Sequence, residues 1–81
     1  MTTREEIEAA INGTGAWRFR HVEEDDLDEY TVYVPLEIVR MRVDDDEWED
    51  GVRYREHGDG GRGRAYVRTE WSFCERFTRV P

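Results

Sequence analysis

Carboxylates are the chemistry this chain has to offer. Glu23, Glu24, Asp25, Asp26, Asp28 and Glu29 put six acids into seven positions around Leu27. Asp44, Asp45, Asp46, Glu47, Glu49 and Asp50 do the same around Trp48. The two runs hold twelve of the twenty acidic residues and none of the twelve arginines. Outside them eight acids stand against twelve arginines, a remainder of net +4 inside a chain of net −8. Segregation on this scale makes a strong local field, and such fields govern which partners approach.

Dense carboxylates stay solvated, hold a hard cation, or stand in for the phosphates of a nucleic acid. For calcium, the stretch Asp46-Glu47-Trp48-Glu49-Asp50-Gly51 has acids at loop positions one and five and glycine at six. Position three is Trp48, and position twelve is His57 where a bidentate glutamate belongs. An EF-hand is therefore rejected, and only weak, non-specific divalent binding remains. For phosphate mimicry, side chains on one face of an extended segment recur about every 7 Å, a spacing comparable to that of phosphates along a strand. Carboxylates at that spacing suit a basic groove, where arginine and lysine pairing and counterion release supply the affinity. Leu27 and Trp48 are the single apolar residues of their runs. An exposed Trp48 ringed by carboxylates would be a binding hot spot; both residues folded inward would be loop anchors.

The other reactive side chains form no recognisable constellation. Cys74 is the only cysteine, so no internal disulfide forms. His21 and His57 have no zinc-ligand spacing, and no cofactor motif is present. Gly58-Asp59-Gly60-Gly61-Arg62-Gly63 fits G-x-G-x-x-G, but a strand from Arg64 to Trp71 follows where the fingerprint needs a helix, so a hairpin loop is the better account. Four Arg-x-Arg pairs occur at 18/20, 40/42, 53/55 and 62/64. Arginine with aromatics on a sheet is one way to bind single-stranded nucleic acid. Pairing with Glu37, Glu56 and Glu70 is the simpler reading, because twelve nearby carboxylates repel a polyanion.

Something must position these groups. Eighty-one residues make one domain, spanning 1–81. Charged residues are 40% of the chain and mean hydropathy is −0.94, but three Trp, four Tyr and three Phe carry a small core. All the basic residues are arginine, a bias that a GC-rich genome produces without selection. No apolar run is long enough for a signal peptide core or a membrane span, which places the chain in the cytoplasm by default. The negative charge argues against anionic membranes and bare nucleic acid as primary partners.

Thr3 with Glu6 forms a capping box, Ile7, Ala10 and Ile11 share one helical face, and Asn12-Gly13 stops the helix. From Ala16 the period becomes two. Strands are expected at Trp17–Arg20, Tyr30–Val34, Val39–Val43, Val52–Arg55 and Arg64–Trp71, with Trp71, Phe73 and Phe77 continuing the pattern in a last, less regular segment. Pro35 reads as a turn or edge. The fold expected is α+β: a short N-terminal helix packed on an antiparallel, meander-like sheet of five or six strands. The core would be Ile7, Ile11, Trp17, Phe19, Val32, Val34, Val39, Met41, Val43, Val52, Tyr54, Val67, Trp71 and Phe73. Arg18, Arg20, Arg40, Arg42, Arg53, Arg55 and Arg68 would line the open face with Tyr33 and Tyr66. Alternate connections of a meander lie at the same end. With Pro35 as the second connection, runs 23–29 and 44–50 would sit side by side, twelve carboxylates at one edge.

In size and charge, carried by the runs Glu23–Glu29 and Asp44–Asp50, the chain resembles the small acidic proteins that phages deploy against host defences, including anti-CRISPR proteins and DNA mimics. That resemblance covers about a sixth of the chain and transfers no catalytic residue. It implies a non-enzymatic inhibitor in the host cytoplasm, binding a basic, nucleic-acid-binding surface of a defence complex. The binding residues would be Glu23, Glu24, Asp25, Asp26, Asp28, Glu29, Asp44, Asp45, Asp46, Glu47, Trp48, Glu49 and Asp50. Two alternatives stand beside it: a single-strand binder using the arginine and tyrosine sheet face, and an acidic housekeeping domain of a salt-loving organism. Edge strands offer a route to pairing two copies, which leaves the oligomeric state open.

Overall fold

The computed structural model describes residues 2–23, 30–58 and 64–80. Their order is α1 (Arg4–Asn12), β1 (Phe19–His21), β2 (Tyr33–Asp44), β3 (Glu47–Glu56), β4 (Ala65–Thr69), α2 (Glu70–Arg76) and β5 (Phe77–Arg79). The five strands form one antiparallel sheet in the order β4-β3-β2-β1-β5. This is the α+β arrangement expected, with a second helix added.

α1 forms for the reasons its sequence states. Thr3 Oγ1 accepts the Glu6 amide at 3.3 Å, and Gly13 ends the helix at φ 74°. The Gly13 and Thr14 amides then cap the carbonyls of Ala10 and Ala9. α2 corrects an expectation. Thr69 Oγ1 caps the Ser72 amide at 3.2 Å, Glu70 opens the helix and Arg76 closes it, each charge matched to the helix dipole. In a strand Trp71 and Phe73 would share a face. In a helix two positions turn about 200°, so Phe73 is buried and Trp71, at 70% exposure, points to solvent.

The core is aromatic and lies under both helices. Ile7, Ala10, Phe19, Val52, Tyr54, Phe73 and Phe77 form it, with Ile11, Tyr33 and Ile38 packed against its rim. Phe73 and Phe77 stack at 4.5 Å, and Tyr54 meets both edge-on at 5.3 and 5.2 Å. Thr2 tethers the N-terminus beneath them: its Oγ1 donates to the Phe77 carbonyl at 2.6 Å and its amide to that of Cys74.

β2 brings the largest correction. Pro35 does not interrupt it; Tyr33 and Val34 of the strand expected at Tyr30–Val34 join the one expected at Val39–Val43 in one strand of twelve residues, and Tyr30–Val32 lie outside it. A bulge between Pro35 and Glu37 absorbs the proline. Tyr33, Pro35 and Ile38 consequently face the helices, opposite Glu56, Tyr54 and Val52, while Val34, Val39 and Met41 lie on the far face. Val32, Val34, Val39 and Met41 are only half-buried, and Trp17, Val43, Val67 and Trp71 are exposed rather than core. The arginines divide accordingly. Arg53 and Arg55 lie on the far face, whereas Arg40, Arg42 and Arg68 lie on the helix side with Tyr33 and Tyr66.

Candidate functional site

β4 pairs with β3 only as far as Gly51, and β1 pairs with β2 only at Tyr33. Beyond Gly51 the β2–β3 ribbon continues alone among the described residues, from Val39–Asp44 on one strand to Glu47–Gly51 on the other. This two-stranded arm lengthens the molecule to 43 × 25 × 23 Å. The second acidic run is the tip and one strand of the arm. Asp44 ends β2, Asp45 and Asp46 make the turn, and Glu47 to Asp50 begin β3. Five of the run's seven residues are therefore strand rather than loop.

Strand alternation separates its side chains. Trp48 lies on the helix side opposite Arg42, with Asp50 two residues on; Glu47 and Glu49 point to the other face. Trp48 is 54% exposed, so the inward-folded reading of this residue does not apply. Asp45 is 97% exposed and its carboxylate lies 3.7 Å from Arg42. The Asp44 carboxylate accepts the Asp45 amide at 2.7 Å and shapes the turn. Asp46, Glu47 and Glu49 make no ion pair among the described residues.

Asp50 has a different role. Its Oδ2 accepts from Arg4 Nη1 at 2.6 Å, and its Oδ1 from Arg40 at 3.0 Å. The same Arg4 nitrogen donates to Glu70 at 2.9 Å, and Arg4 Nε reaches Glu8 at 2.8 Å. Arg4 thus joins α1, α2 and the base of the arm. The Arg4 hydrogen bond, with that of Arg40 behind it, holds the Asp50 carboxyl below the usual carboxylate range; the hydrogen bonds to Asp50, Glu8 and Glu70 push Arg4 up. A basic residue in the first turn of a helix opposes the dipole, and that misfit is the signal in the sequence that Arg4 serves a tertiary contact.

Beside this cluster lies a cleft of about 560 Å³, lined by Thr2, Thr3, Arg40, Asp50, Glu70, Trp71 and Cys74 among others. Burial, with help from Glu70 and Glu6, pushes the Cys74 thiol up, which keeps it protonated and a poor nucleophile. No group of three or more His, Cys, Asp or Glu side chains among the described residues is placed to hold a metal ion. No helix among them is long and apolar enough to cross a membrane.

Glu23, the one described residue of the first run, is not beside the second run. Glu23 is exposed in the turn after β1, its amide donating to His21 Nδ1 at 3.2 Å. Glu24, Asp25, Asp26, Leu27, Asp28 and Glu29 lie outside the described residues, as does 59–63 of the glycine-rich stretch. Glu23, which opens the run, and Tyr30, which follows it, sit at the end where β2 begins; the Asp45–Asp46 turn is at the other end of that twelve-residue strand. At about 3.3 Å per residue the separation is about 35 Å. The side-by-side placement expected rested on a connection at Pro35; β2 runs through Pro35 instead, and among the described residues Glu23 lies at the opposite end from the second run.

Comparison of the chain with protein-family models, with curated proteins and with solved structures finds no match.

Proposed function

We propose that this chain is a non-catalytic binding protein whose acidic arm docks in a basic, nucleic-acid-binding groove of a partner protein. The observation that carries this reading is the arm itself: an acidic tip on a bare two-stranded ribbon, with the 54%-exposed Trp48 among its charges. An isolated ribbon is marginally stable in water, so a sequence that extends one past its core gains nothing in folding. Projection lets it enter a groove that the helical body could not. Glu47 and Glu49 are same-face carboxylates about 7 Å apart, suited to pairing with arginines that otherwise hold phosphates. Trp48 supplies the apolar anchor, and the Arg4–Asp50–Arg40 contacts hold the base of the arm to the body.

A defence complex that loads on DNA is the partner class this chemistry fits. The test is a panel of such complexes offered labelled DNA with the native protein, with Asn and Gln throughout Asp44–Asp50, and with the same change throughout Glu23–Glu29. Blocked loading that is lost on neutralising 44–50 and kept on neutralising 23–29 supports the arm. Blockade that survives neutralisation of 44–50 refutes it.

A further inference from the structure

A second surface lies on the sheet face away from the helices. Arg53 and Arg55 project there from β3, beside Val34 of β2 and Val67 and Ala65 of β4. Beside them, at the β2–β3 root, the His57 amide donates to the Val32 carbonyl at 2.7 Å. The exposed His57 ring meets Trp17 edge-on at 5.0 Å, and the Arg18 guanidinium lies 5.5 Å from the centre of the Trp17 ring. Arg18 and Arg20 hold further contacts of their own. The load therefore falls on Trp17, His57, Arg53 and Arg55.

We propose that this face binds single-stranded nucleic acid without sequence preference. Charge decides the sign of the ligand: the acid nearest Arg53 is Glu37, 3.7 Å away, and a polyanion displaces one surface carboxylate at small cost. Ring chemistry decides its class. Trp17 is 42% exposed and held by the His57 ring at 5.0 Å and the Arg18 guanidinium at 5.5 Å, so the exposed part of a fixed indole is available to a base. An acidic peptide has no use for that platform. Repulsion from the arm is screened here: the turn at its tip stands about 35 Å from Val34, and Glu49, on the same face, about 13 Å from Arg53, against a screening length of about 8 Å at physiological salt.

The test is anisotropy of a labelled oligo-dT 20-mer, read across salt concentrations. Native protein binds it, with affinity falling on a log–log salt plot by about 0.7 per phosphate engaged. Arg53→Glu with Arg55→Glu lowers affinity at least tenfold. Arg42→Glu with Arg76→Glu changes net charge equally but lies elsewhere, and leaves affinity within threefold. Arg55 is half-buried, so a second readout avoids disturbing it. With Trp48→Phe and Trp71→Phe, Trp17 is the remaining tryptophan and the oligonucleotide quenches its fluorescence. The proposal is overturned by no binding from the native protein, by equal losses from the two double variants, by an unquenched Trp17, or by equal competition from poly-glutamate of the same length.

Discussion

The root of the sheet and its arm are built from the same two strands and differ in nearly everything else. At the root, β2 and β3 are flanked by β1 and β4 and roofed by both helices, and Val52, Tyr54 and Phe77 are buried there. On the arm the same strands have no flanking strand among the described residues, and Arg42, Val43 and Trp48 are exposed. The difference teaches where stability and recognition reside. Burial drives folding in proportion to the apolar area removed from water, so the root holds the free energy. The arm holds exposed charge and an exposed indole, which contribute little to folding and much to contact with a partner.

The largest break between the regions comes from Phe73→Ala. It empties the centre of the aromatic cluster, and about 3–5 kcal/mol of destabilisation is expected by urea denaturation. A small domain has only ~5–15 kcal/mol in all, so much of its folded margin goes with one side chain. Gly51→Ala tests the junction. A Cβ at Gly51 overlaps Met41 Sδ and Cγ and comes 3.1 Å from the Arg68 carbonyl. Met41 must swing off the sheet, at about 1–3 kcal/mol. Combining the change with Met41→Ala recovers part of that loss, and no recovery would mean the Arg68 backbone is the obstacle.

Thr69→Ala removes the cap of α2, with an expected loss of about 1 kcal/mol and a matching fall in Tm. That helix also shows how far sequence pattern reaches. Thr69, Glu70 and Arg76 are sound helix signals, yet Trp71, Phe73 and Phe77 read as alternation continued from β4. Seven residues are too few for a 3.6 period to outvote a 2.0 period. Only the cluster around Phe73 and Phe77 selects the helix.

Acid titration gives a smaller effect, since half-exposed ion pairs are screened by water and salt. Asp50 has its folded pKa lowered by Arg4 and Arg40. Its contribution is therefore complete above the unfolded Asp pKa of about 3.9 and disappears as pH falls through the folded value. Asp50→Asn should flatten the stability curve below about pH 4 relative to the native chain, and an unchanged slope would mean Arg4 does not pin the arm. Smallest of all for folding is Trp48→Ala, expected within about 0.5 kcal/mol of native in stability because the side chain is mostly exposed. The same change is expected to abolish arm-dependent blockade of DNA loading. A large stability loss there would make Trp48 a packing residue and erase the contrast between arm and root.

The residues themselves determined a good deal. Thr3, Glu6 and Gly13 specify α1 and both its ends by local hydrogen bonds and local backbone geometry. Alternation from Phe19 onward specifies antiparallel strands, and the two runs specify where charge is concentrated along the chain. Tertiary structure decided which face is which. Period-two alternation says that Val39 and Met41 share a side with each other, not that helices cover that side. Apolar residues stand on both faces of β2, and the bulge after Pro35 turns Tyr33 and Ile38 inward together. The helices are nine and seven residues long and rise about 1.5 Å per residue, whereas β2 is twelve residues at about 3.3 Å. A roof that short leaves part of the sheet bare, and the acidic run at its end becomes an arm because neither helix is long enough to cover it.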